Sequence, residues 1–101
     1  MPKLELNIPH NITQTEALAR IQKFLPELKE HHSDRIKDLQ ESWNGNTGTF
    51  KFKISGFKVS GTLQVEDSEV IIKGEIPFLA SRFKGQIEET IRAKAMELLR
   101  E

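Results

Sequence analysis

Between residues 49 and 76 apolar and polar side chains alternate with few breaks. Phe50, Phe52 and Ile54 alternate with Lys51 and Lys53. Phe57, Val59, Leu63 and Val65 alternate with Lys58, Ser60, Thr62 and Gln64. Val70, Ile72 and Ile76 continue the pattern around Lys73 and Glu75. A period of two sends one set to each side of a sheet. The stretch therefore predicts a three-stranded antiparallel meander with one oily face. Ser55-Gly56 and Glu66-Asp67-Ser68 supply the reversals.

The flanking segments look built to cover that face. Leu4, Leu6 and Ile8 alternate with Lys3, Glu5 and Asn7, a first strand stopped by Pro9. Thr13-Gln14-Thr15-Glu16 reads as a capping box that starts a helix, with Thr15 as the competing cap. Ala17, Leu18, Ile21, Phe24, Leu25 and Leu28 then fall on one helical stripe. Pro26 interrupts the stripe without changing its phase. It predicts a kinked helix, or a new helical segment with the proline in its first turn. The polar run Glu30 to Asp34 ends the helix. Ile36, Leu39 and Trp43 fit a last helical turn plus a strand, and a second strand is expected over residues 37–43. Leu39 and Trp43 would share a face with Glu41 between them. Asn44 to Gly48 is a turn, rich in residues that tolerate positive φ.

From Pro77 the period changes. Leu79 or Ala80, Phe83, Ile87, Ile91, Ala95 and Leu98 step by three or four residues, and Gly85 is a soft point early in this last helix. The order is β-α-β-β-β-β-α. It predicts an α+β fold, an antiparallel sheet of four to five strands with two helices on one face.

Composition narrows the functional classes. A chain of 101 residues makes one domain, residues 1–101. Fifteen basic side chains balance fifteen acidic ones, which removes the generic electrostatic argument for nucleic acid as a partner. Cysteine is absent, so no disulfide, thiolate zinc site or cysteine nucleophile exists. The first ten residues lack the apolar core of a signal peptide, and no stretch approaches 18 apolar residues. The expectation is a cytoplasmic protein with no transmembrane segment.

Candidate chemistry is sparse. Gly61 and Gly74 fall at inward positions of the meander, where a missing side chain leaves a notch or lets another backbone approach. With Phe83 and Ile87 of the last helix above them, they are the candidate lining of a ligand pocket. His31 and His32 are neighbours on a helix, about 100° apart, and do not close on one metal. His10 follows a strand with no visible nucleophile to serve. Glu66, Asp67 and Glu69 cluster at a hairpin tip without the spacing of a calcium loop. Lys51, Lys53 and Lys58 form a basic row on the open face, but the phenylalanines point the other way and tyrosine is absent. That lacks the interleaved stacking platform of a nucleic-acid binder. No cofactor motif, metal set or catalytic constellation is legible.

Several landmarks together carry a family resemblance. They are Trp43-Asn44-Gly45, the strand Gly56-x-x-x-x-Gly61-Thr62-Leu63, and the run from Phe78-Leu79 to Ile87-Glu88 that opens the last helix. With the early His10 and the Thr15–Leu28 helix, the chain resembles the polyhydroxyalkanoic acid system family, also called polyhydroxyalkanoate granule region proteins. Where family members often show a His followed shortly by Leu, this chain has His10-Asn11-Ile12. The resemblance implies a bacterial, non-enzymatic accessory protein of polyester storage, with the granule or its proteins as partner. It carries no catalytic residue. The element order also resembles a shortened helix-grip module, in which a curved sheet wraps a long helix. That implies an alternative function, binding of an apolar acyl ligand under the last helix. The oligomeric state stays open, with Trp43 the candidate contact if exposed.

Overall fold

The computed structural model describes residues 3–100. Five strands form one antiparallel sheet: β1 (Lys3–Pro9), β2 (Ile36–Asn44), β3 (Thr47–Ile54), β4 (Phe57–Val65) and β5 (Glu69–Glu75). Their spatial order is β1-β5-β4-β3-β2, so β2 to β5 make a meander and β1 closes the β5 side. The helices are α1 (Gln14–Ile21), α2 (Phe24–His31) and α3 (Lys84–Leu99), with a 3₁₀ segment over Phe78–Phe83 leading into α3.

Local chemistry explains the boundaries. Thr13 caps α1, its hydroxyl accepting from the Glu16 amide at 3.1 Å. The reciprocal half of the box is unused, because the Glu16 carboxylate binds Arg20 one turn on at 3.0 Å. Gln22 and Lys23 separate α1 from α2, and Pro26 lies in the first turn of α2. There its missing N–H would have had no partner inside the helix. Of the two readings of this proline, the structure takes the new segment. Ser55 and Gly56 join β3 to β4 with φ of 50° and 85°, the pair of positive values a two-residue I′ hairpin requires.

Strand β2 runs from Ile36 to Asn44, one residue beyond each expected end, and contains a bulge. Lys37 pairs with Lys53 and Gln40 with Lys51, so Asp38 and Leu39 together oppose Phe52. Asp38 takes φ 57°, a conformation aspartate tolerates better than most residues. The extra residue resets the alternation, which brings Ile36, Leu39, Glu41 and Trp43 to one face. Trp43 lies opposite Gly48, where an added Cβ would come within 2.7 Å of the indole. The indole N–H donates to Glu41 at 2.9 Å. Trp43 is half-buried and engaged within its own hairpin.

The core lies between one sheet face and the helices. Leu6, Ile8, Val70 and Ile72 pack with Ala17 and Ile21 of α1 and with Ala95 and Leu99 of α3. A smaller cluster of Leu4, Ile76 and Ala80 sits at the other end of α3. The last helical stripe differs from its expectation at its start. The α-helix begins at Lys84, and the turns before it run past the sheet. Phe78 and Leu79 are 77% and 76% exposed, and Phe83 is 41% exposed with the Arg82 guanidinium 5.0 Å from its ring centre. Among the described residues no helix is long and apolar enough to cross a membrane.

Candidate functional site

The concavity with the most apolar lining lies where the helices stop covering the sheet. Its floor is the sheet, with Phe50, Phe52 and Val59 of β3 and β4 pointing into it and Leu4, Leu6 and Ile72 of β1 and β5 at its far side. Phe52 and Val59 are cross-strand partners on the same side, and Phe50 and Phe52 stack with ring centres 6.0 Å apart. One wall is α2, through Phe24, Leu25 and Leu28. The other is the first half of α3, through Ile87 and Ile91. The enclosed volume is about 260 Å³. That is just below the usual range of small-molecule sites.

The four residues expected to line a pocket separate here. Gly74 and Ile87 line this cavity, whereas Gly61 and Phe83 lie outside its lining. At Gly61 a Cβ would fall 2.1 Å from the Lys73 carbonyl oxygen and 2.8 Å from the Phe50 ring. This glycine lets a neighbouring strand and an aromatic ring come close, and with Gly74 it lines a separate concavity of about 240 Å³ among charged residues such as Lys3, Glu5 and Lys73. Phe83 misses because it sits at the end of the 3₁₀ turn, before α3 reaches over the sheet. Phe24, Leu28 and Ile36 line the cavity without having been singled out. Phe24 and Leu28 were legible as a helical stripe, but not which part of the sheet that stripe would face.

The roof is tied together by charge. Lys94 of α3 donates to Glu27 of α2 at 2.7 Å, with the two side chains 15% and 35% exposed. That hydrogen bond, helped by the lysine's charge, holds the Glu27 carboxyl below its ordinary value. The same bond holds the Lys94 ammonium above its own.

At the mouth the character changes. His32 and Arg35 follow α2, and Gln86 and Thr90 project from α3. Thr90 already donates to the Gln86 carbonyl at 3.0 Å. Among the described residues no acidic one lines the cavity.

The remaining candidates are accounted for by structural contacts. His10 is 7% exposed. Its Nδ1 accepts from the Ile12 amide at 3.4 Å, which leaves the proton on Nε2, 3.1 Å from the Glu66 carbonyl. With its backbone amide on Ser68 at 2.9 Å, His10 fastens the end of β1 to the β4–β5 reversal. Among the described residues no cluster of three or more His, Asp or Glu could hold a metal. The acidic tip is dispersed over amide donors, with Gln64 bound to Glu66 and Asn7 to Glu69. Lys51, Lys53 and Lys58 are exposed on the outer face, and Lys53 faces Asp38 at 3.5 Å.

Comparison with known proteins adds a family. The sequence profile of the family described as "Putative polyhydroxyalkanoic acid system protein" matches residues 4–99. Among solved structures, TTHA0849 from Thermus thermophilus aligns over 96% of this chain and 90% of its own, at 12% identity and a TM-score of 0.47. No curated protein matches the sequence.

Proposed function

The chain belongs to the polyhydroxyalkanoic acid system family, and on that premise we propose that it is a non-enzymatic accessory protein of polyester storage, associating with the granule or its proteins. The observation that carries the association is the apolar projection made by Phe78, Leu79 and Phe83. Two side chains more than three-quarters exposed, beside a third, are unusual on a monomer surface and typical of a contact patch. His10 supports the non-enzymatic reading, because backbone groups engage both of its ring nitrogens.

The test is co-sedimentation with isolated polymer granules. The wild-type chain is expected in the granule fraction, and a Phe78→Ser, Leu79→Ser double variant in the supernatant. Both positions are exposed, so the variant should keep its fold, which circular dichroism checks. Wild-type protein recovered only from the supernatant sinks the proposal.

A second reading is favoured by the cavity itself. An apolar space bounded by two helices and a sheet suits an acyl chain, so the same protein would bind an acyl ligand. Chemical-shift changes at Phe52, Val59 and Ile91 on adding an alkyl compound are the expected sign.

A further inference from the structure

We infer that the cavity takes an unbranched acyl chain ending in a carboxylate, with the chain on the β3–β4 floor and the head group at Arg35. This deepens the acyl-binding reading and rests on it. Three observations point to it. The first is the distribution of polarity, apolar along the floor and walls and polar only at the rim, where His32, Arg35, Gln86 and Thr90 lie. An amphiphile matches such a gradient, whereas a wholly apolar guest leaves the rim groups unused. The second is the sign of the charge. Among the described residues Arg35 is the one permanently charged side chain in the lining, and no carboxylate shares it. Among the described residues the ion pairs within 4.0 Å involve Arg20, Lys53, Lys84 and Lys94, so the Arg35 guanidinium has no acidic partner there. A guanidinium with unused donors matches the two oxygens of a carboxylate. The third is size. About 260 Å³ between two helices admits a single chain, not a two-chain lipid.

Arg35 is also held at its backbone. Its amide donates to the His32 carbonyl at 2.9 Å, and its carbonyl accepts from the Ser55 amide at 3.3 Å. The side chain therefore springs from a fixed point beside the mouth, and replacing it leaves those contacts in place.

The probes are decanoate, decanol and decyltrimethylammonium, each below its micellar concentration, titrated into the full chain and followed by amide chemical shifts. Decanoate is expected to bind tightest, with shifts over residues 24–36 and 86–91. Arg35→Gln is expected to weaken decanoate roughly tenfold, the loss of one charged hydrogen-bonding group, and to leave decanol unchanged. A dispersed spectrum confirms that the variant folds. Equal affinity for decanol and decanoate, or equal loss of both in Arg35→Gln, overturns the head-group assignment and leaves acyl binding standing. Shifts confined to residues 78–83 would place the ligand outside the cavity and overturn both. Absence of binding by all three probes would do the same.

Discussion

On β1 and β5 the large inward side chains Leu4, Leu6, Ile8, Val70 and Ile72, with Ile76 just beyond, are at most 3% exposed. On β2 and β3 the inward Leu39, Trp43, Phe50, Phe52 and Ile54 are only half-buried, although they obey the same alternation on the same sheet face. Only Ile36, next to α2, and Gly48, under the indole, match the first group. The difference lies in the cover. Helix α1 and the second half of α3 close over β1, β5 and the end of β4. Over β3 only α2 and the start of α3 come near, and they leave a gap. Alternation decides which side of a strand turns inward. Helix length and crossing decide what it meets there.

Paired truncations put that contrast at risk most directly. Ile8→Ala, in the filled half and away from the cavity, should lower the unfolding free energy by about 2 to 5 kcal/mol in urea titrations. Phe52→Ala removes a larger side chain from the open half and should lower it by about 1 to 2 kcal/mol, since much of the ring is already wet. Equal losses would mean that the two halves are packed alike.

Gly61 lies between the halves and sharpens the boundary. Gly61→Ala drives a methyl against the Lys73 carbonyl. It should cost about 1 to 3 kcal/mol as the strands shift apart. Gly85→Ala, in the first turn of α3 with nothing within 4 Å of the new methyl, should stabilise by up to about 1 kcal/mol. Similar behaviour of the two variants would refute the close approach at Gly61.

The smallest effect concerns the roof over the open half. The Glu27 carboxyl sits below its ordinary value, so its share of stability is present above about pH 4.3 and fades as acid carries the pH through the lowered folded value. The Lys94 ammonium sits above its ordinary value, so its share is present below about pH 10.4 and fades as the pH rises through the raised one. The pair's contribution should be flat between those limits. Lys94→Met should weaken that acid-side dependence and lower the midpoint at neutral pH by the same small amount, as thermal melts across pH would show. A melt-versus-pH curve identical to wild type would exclude the clamp.

Much of the fold was legible in the sequence. The strands announced themselves through alternation, the start of α1 through Thr13, and the β3–β4 reversal through Ser55-Gly56. What stayed hidden depended on single conformations or on distant partners. The left-handed Asp38 resets the parity of β2, so Ile36 and Leu39, three apart, looked helical while lying side by side on one sheet face. Phe83 continued a helical stripe on paper, yet that stripe began before the sheet was beneath it. The seat of Trp43 on Gly48 was within reach of the sequence. Placing the two-residue loop at Gly45-Asn46 sets residue 43 opposite 48, and a large ring facing a glycine follows. The cavity was not within reach, because its width is a distance between α2, α3 and β3 that no local pattern encodes.

Helix α2 is eight residues long and hangs on α1 through Gln22 and Lys23. A segment that short does not hold its hydrogen bonds without neighbours to lean on. Helix α1 is equally short, but Thr13 caps its start, whereas no side chain caps α2, so α2 is the one free to fray. Its amides should exchange with deuterium sooner than those of α1 and slow down when a guest arrives. The width of the mouth could thus drift over evolutionary time through changes at two linking positions, leaving the interior that folds the molecule untouched.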